Sequence, residues 1–271
     1  MRHSTAFAAL LALTPLGAAP ALSQGLLDAD VIKVEVMPGW RENGMGHIAA
    51  LRMTLEPGWK TYWRAPGDAG IPPMFNWSGS QNVQSVTPHF PVPEIFNQNG
   101  MRSIGYQDEV IIPLHITRRD ANEPIELNAE LEIGVCEEIC IPAMVSFTAT
   151  LPMQGASNGD ISAALADAPM TEAEARVGEV TCQISPLDDG LALTLEVDMP
   201  PIGDTEEAAI ETADPAVWVA EPSVTRNGNT LRAETQLVRY GDGPFALDRS
   251  GVRMTVFGAD EAVDILGCSA G

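Results

Sequence analysis

Ile125-Glu126-Leu127-Asn128-Ala129-Glu130-Leu131-Glu132-Ile133-Gly134-Val135 keeps an apolar side chain at every odd position for eleven residues. A period of two sends one set of side chains to each face of an extended chain, so this stretch predicts a half-buried β-strand. Val145, Phe147, Ala149 and Leu151 repeat the pattern after a short interruption. The connection, residues 134–144, carries Cys136 and Cys140. The simplest topology is therefore a hairpin that holds a cysteine pair at the end of a sheet.

The same alternation runs outward in both directions. It is present over residues 32–36, 49–55 and 110–116, where Pro113 lacks a backbone donor and predicts an edge strand or a bulge. Between Pro57 and Gly100 lies one long turn-rich stretch. Near residue 155 the period stops. A polar segment, an Ala-rich run and Thr171-Glu172-Ala173-Glu174, which fits a capping box, predict one or two helical turns. Alternation returns at Val180, Cys182 and Ile184, at Leu191 to Val197, and at Leu231 to Leu237. The expected fold is all-β: two β-sandwich domains, 24–154 and 178–271, joined by a short, partly helical linker at 155–177.

Composition narrows the function. The 271 residues are 45% hydrophobic and 19% charged, which excludes a disordered, collagen-like or coiled-coil chain. A formal charge of -22 repels phosphate backbones, so nucleic acid is not an expected partner. The first 23 residues read as an export signal: Arg2 and His3, an apolar run, then Ala21-Leu22-Ser23. The mature protein is expected in an oxidising compartment such as a bacterial periplasm, where thiols pair.

Four cysteines allow three pairings, and local pairing is the natural one. A Cys182–Cys268 bridge would stabilise by about 4 to 5 kcal/mol in the chain-entropy model and reads as structural. A bridge across Cys136 and Cys140 would give only about 2 kcal/mol, so another reason for that pair is worth seeking. Three intervening residues depart from the two of a thioredoxin motif. Zinc wants four ligands, yet His47, His89 and His115 have no ligand spacing to the pair. Copper(I) could use both thiolates and Met144, although methionine there more often fills core. Glu137 and Glu138 disfavour a nearby thiolate and suppress indiscriminate exchange. From the residues alone, a hairpin clamp and a redox pair both stand.

A second cluster runs from Pro57 to Trp77 and holds five of the chain's 15 aromatic residues: Trp59, Tyr62, Trp63, Phe75 and Trp77. Core filling, a stacking surface and a shield around a reactive group are its three readings.

Together these stretches resemble the periplasmic N-terminal domain of the disulfide-interchange protein DsbD, and especially its variant in the ScsB copper-tolerance proteins. The resemblance spans about residues 28–151. It rests on Pro57-Gly58-Trp59-Lys60-Thr61-Tyr62-Trp63-Arg64, on Asn99-Gly100-Met101-Arg102 leading to Tyr106-Gln107-Asp108 and Val110-Ile111-Ile112-Pro113, and on Cys136 to Cys140 followed by Ile141-Pro142. It implies immunoglobulin-like sandwiches and a cysteine pair that takes electrons from a membrane-embedded thiol reductase and passes them to thioredoxin-like periplasmic proteins. By position, Cys140 resembles the attacking thiol, Cys136 its resolving partner, and Tyr62 an aromatic beside them.

The family's cap loop maps to residues 96–103. Gln98-Asn99 replaces the aromatic pair expected before Gly100, which leaves Phe96 or Met101 to shield. Full-length relatives continue into a membrane channel and a thioredoxin domain. The expectation here is a freestanding exported thiol-disulfide oxidoreductase without organic cofactor or metal. A noncatalytic adaptor with two structural disulfides, whose aromatic segment binds a protein, is the competing expectation, and copper(I) handling is a third.

Overall fold

The alternation at residues 125–151 becomes the two longest strands among the described residues. The computed structural model describes residues 31–67, 70–98, 100–241 and 245–271. The export signal and Asn99 lie outside that description. Through residue 151 the strands are β1 (Ile32–Arg41), β2 (Gly46–Leu55), β3 (Lys60–Tyr62), β4 (Met74–Asn76), β5 (Val83–Pro88), β6 (Glu94–Gln98), β7 (Met101–Gln107), β8 (Glu109–Arg118), β9 (Ile125–Cys136) and β10 (Cys140–Leu151).

One sheet has the order β1-β2-β8-β5 and the other β10-β9-β3-β7-β6, with β4 further along the β9 edge that β3 uses. Inward side chains of β9 (Leu127, Leu131, Ile133, Val135) meet Leu51, Met53, Ile112 and Leu114 of the facing sheet in one core. Side chains as fully enclosed as Leu131 and Ile133 contribute about 1.5–3 kcal/mol each. That burial fixes the register, because a one-residue slip would turn the whole set outward.

One expectation needs correction. Strand β8, which carries Pro113, is interior, with β2 on one side and β5 on the other. Proline is tolerated because β5 ends at Pro88, opposite Leu114. Beyond that point the His89 N–H still donates to the Pro113 carbonyl at 2.8 Å, so the missing donor faces the side on which β5 has ended and the pairing with β2 is kept. The capping box forms as read, with Glu174 N–H donating to Thr171 Oγ1 and Thr171 N–H to the Glu174 carboxylate. It nevertheless closes only a turn over residues 172–176. The helix of this region, α1 (Gly159–Ala166), lies in the Ala-rich run. Asn158 caps it by accepting from the N–H groups of Asp160 and Ile161, and Ile161 is buried with Met37, Ile48 and Ala50.

The remaining strands are β11 (Val180–Leu187), β12 (Gly190–Asp198), β13 (Glu207–Glu211), β14 (Val217–Val219), β15 (Ser223–Asn227), β16 (Thr230–Arg239), β17 (Arg253–Phe257), β18 (Ala262–Leu266) and β19 (Ser269–Ala270). Sheets β14-β16-β12-β11-β19, with β15 also on β16, and β13-β17-β18 enclose a second core that includes Leu193, Leu195, Leu231, Val256 and Ile265. Cys182 bridges Cys268 with Cα atoms 5.7 Å apart, tying β11 to the last segment of the chain.

Sheet β13-β17-β18 also touches the first core. Phe257 meets Trp63 edge-to-face with centroids 5.3 Å apart, and Ala209 and Ala262 pack into the same cluster. Arg64 crosses this contact. Its guanidinium lies 3.9 Å over Trp63, donates to Glu211 at 3.1 Å and to Thr255 at 3.0 Å, and pairs with Asp264.

Candidate functional site

Strands β9 and β10 pair without a break from Ile125↔Leu151 to Cys136↔Cys140, which leaves only Glu137-Glu138-Ile139 as the loop. The two cysteines are the last rung of the ladder and form a disulfide with Cα atoms 4.2 Å apart. Their surroundings differ. Cys136 is only 6% exposed because β3 flanks β9, with Lys60 directly opposite. Cys140 is exposed, since β10 is the outer strand of the sheet and has a neighbour on one side only. The Cys140 side of the disulfide is therefore the more open to solvent, and the Cys136 side is the more enclosed.

Both sulfurs lie on the sheet face that points away from the core, shared with Gly134, Lys60 and Tyr62 by the pleat. The Tyr62 hydroxyl is 2.6 Å from Cys136 Sγ and 2.9 Å from Cys140 Sγ. Disulfide sulfurs carry no proton, so the hydroxyl donates. Burial pushes the Tyr62 phenol above its ordinary pKa, which keeps that proton in place at neutral pH. The ring fits because its neighbours are small. A β-carbon on Gly134 would fall 2.8 Å from Tyr62 Cδ2, and one on Gly70 the same distance from Cδ1. Beneath the ring, Thr61 Oγ1 donates to the Gly134 carbonyl at 2.9 Å and fixes β3 against β9.

Hairpin β6–β7 brings a second set of side chains. Phe96 pairs with Ser103, and the same face presents Met101. Phe96, Met101 and Ser103 join Lys60, Tyr62 and both cysteines around a cavity of about 90 Å³. The Lys60 ammonium lies 4.6 Å above the Phe96 ring. Gly100 (φ +77°) makes the turn and does not line the cavity. Met101 is 57% exposed, so it forms a rim on this cavity. Glu137 and Glu138 are exposed at the same opening, and Ile139 projects beside Cys140 with 77% exposure.

The sequence singled out Cys136, Cys140, Tyr62, Phe96 and Met101, and all five converge here. It missed Lys60, Ser103, Gly70 and Gly134. The pleat of Lys60-Thr61-Tyr62 was the available signal for Lys60, which shares a face with Tyr62. Nothing local marks Gly70, and Ser103 was placed only as the end of the cap segment. The aromatic cluster divides: Trp63 is core, Phe75 and Trp77 stack with centroids 5.3 Å apart against the same core, and only Tyr62 reaches the disulfide.

Met144 does not fill core, as it is 47% exposed. Four strand residues from Cys140 place it about 13 Å away along β10, too far to share a ligand set with the pair. Among the described residues no group of three or more His, Cys, Asp or Glu could hold a metal ion. No helix among them is long and apolar enough to cross a membrane.

Residues 28–152 match the family described as thiol:disulfide interchange protein DsbD, N-terminal. The fold matches the crystal structure of the N-terminal periplasmic domain of ScsB from Proteus mirabilis. The TM-score is 0.65 and the identity 22%, over 90% of this chain and 96% of that one. No curated protein matches the chain. Sequence match and paired cysteines agree on the same segment: residues 28–152 are similar to the DsbD N-terminal domain family, which supports a thiol-disulfide exchange domain there.

Proposed function

We propose that the chain is a periplasmic relay of reducing equivalents, with residues 24–154 as the exchange domain, 155–177 as linker and 178–271 as a supporting sandwich. A thiolate of a reduced membrane-embedded thiol reductase attacks Cys140 Sγ. The Cys136–Cys140 bond breaks, and its electron pair leaves on Cys136 Sγ. The donor's second thiolate then attacks the donor sulfur of the mixed disulfide and frees Cys140. The donor has become a disulfide, and the pair holds two electrons and takes up two protons. With a thioredoxin-fold client the sequence reverses: Cys140 thiolate attacks the client disulfide, and Cys136 then attacks Cys140 Sγ to release the reduced client.

One observation carries this reading: Cys140 is exposed while Cys136 is buried, and one tyrosine hydroxyl lies within 2.9 Å of both sulfurs. A purely structural staple gains nothing from that asymmetry. The hydroxyl can donate to the thiolate produced on Cys136, and Phe96 and Met101 act as a cap that limits casual attack. Incubating the Cys136→Ser variant with a thioredoxin-fold protein in its disulfide form tests the reading, because the remaining Cys140 should become trapped as a mixed disulfide. No trapped species, together with a potential below about -300 mV for the native pair, would leave the disulfide a structural staple.

A further inference from the structure

Strand β7 has two faces with two destinations. Met101 and Ser103 line the disulfide cavity, whereas Arg102 and Ile104, between and beyond them, point toward β13 and β14. Arg102 is 8% exposed. Its Nη2 donates to the Ala208 carbonyl at 2.7 Å, Nη1 donates to Glu221 at 3.4 Å, and Nε lies 3.3 Å from the Glu207 carboxylate. Ala208 is on β13, the edge strand of its sheet, so the guanidinium occupies a position where another strand would otherwise pair.

The rest of the hairpin explains why such an anchor matters. β7 pairs with β3 only at Gly105, Tyr106 and Gln107, and Ile104 is held by backbone bonds to Trp63 and Pro66. From Ser103 back to Met101 the ladder partner is β6 alone, and β6 is itself the outer strand. A two-stranded overhang is marginal in water without a further contact. Arg102 supplies that contact from behind, one residue away from each of two cavity-lining side chains.

We infer that Arg102 is a positioning residue for the cap. By fastening β7 to β13 it holds Met101 and Ser103 at the rim of the disulfide cavity and sets how widely that cavity opens beside Cys140. The C-terminal sandwich thereby governs access to a sulfur it does not touch. The inference deepens the relay reading, and its test needs no protein partner.

The measurement is the rate at which dithiothreitol reduces Cys136–Cys140 in the intact chain, together with amide exchange at Met101 and Ser103. Arg102→Ala should raise both rates by roughly 2- to 30-fold and leave the equilibrium potential of the pair unchanged. Arg102→Lys, which keeps one donor for the Ala208 carbonyl, should fall between. Should Arg102→Ala fail to fold, Glu207→Gln with Glu221→Gln loosens the same guanidinium from its carboxylates, and a faster rate is again expected. Wild-type rates in a folded variant of either kind would overturn the inference. If dithiothreitol rates depend on Arg102 but no thioredoxin-fold protein is ever trapped, the anchor stands and the relay falls. If trapping succeeds and the rates ignore Arg102, the anchor falls and the relay stands.

Discussion

The ring of Tyr62 lies on the bare backbone of Gly134. A β-carbon there would come within 2.8 Å of Cδ2 and 2.9 Å of Cε2, and within 2.7 Å of Ile71 Cβ. Separations that short force something to move, and the ring belongs to the side chain that reaches both sulfurs. Gly134→Ala should cost about 1–3 kcal/mol as an overpacking change. It should cost less in a Tyr62→Ala background, where the ring is gone. Urea denaturation of the four proteins gives the double-mutant cycle, and equal costs in both backgrounds would show that ring and glycine are not coupled.

Tyr62→Phe removes the hydroxyl and keeps the ring. In the reduced protein the phenol can donate to a thiolate, and a hydrogen bond to a charged group is worth about 1.5–3 kcal/mol. Without it the thiolate should form at a pH roughly one to two units higher. Alkylation rate against pH measures this directly on the reduced chain. Superimposable profiles for wild type and Tyr62→Phe would mean that the hydroxyl plays no part in thiolate chemistry.

The hairpin was legible in the sequence because the period of two survives from Ile125 through Cys136 and resumes after three residues. Its cysteines were legible as a pair for the same reason. Strands β3 and β4 were not. Each has three residues, too few for a period to show, and Pro57, Pro66, Pro72 and Pro73 break up the surrounding segment. Met144 was misjudged because it follows the outward parity of β10, a rule the sequence already contained. Arg64 and Arg102 could not have been assigned from local pattern, since their charged partners lie 105 to 200 residues away. Burial of a guanidinium is set by what another part of the chain brings to it.

Two disulfides of unequal exposure should separate chemically. Cys182 is almost fully enclosed opposite Leu195 on β12, whereas Cys140 is open. Mild dithiothreitol followed by alkylation should label Cys136 and Cys140 in the native chain, and all four cysteines only in denaturant. Replacing Cys182 and Cys268 together by Ala should lower stability by about 2–5 kcal/mol, read from the urea midpoint, and leave the reduction rate of the other pair unchanged. Simultaneous native labelling of all four would sink the division into an exchanging and a stapling bridge.

Stability should fall on mild acidification, and His47 accounts for part of the slope. The side chain is buried, and its ring Nε2–H donates to the Pro38 carbonyl at 2.7 Å. Desolvation holds its pKa below the ordinary 6.5, with the Pro38 contact opposing. His89 is held down in the same way, by burial first and then by His115. For both, the unfolded chain binds more protons than the folded one just below pH 6.5, so their contribution is complete above that value and is lost as pH falls from it through the lower folded values. Glu211 works in the opposite sense. Burial raises its carboxyl pKa against the pull of Arg64, so its contribution is lost as pH rises through the folded value. Urea midpoints between pH 7 and pH 5 should therefore fall in the wild type, fall less in His47→Gln, and fall more steeply in Glu211→Gln. A slope that His47→Gln leaves intact would show that the buried ring does not titrate between the folded and unfolded chains.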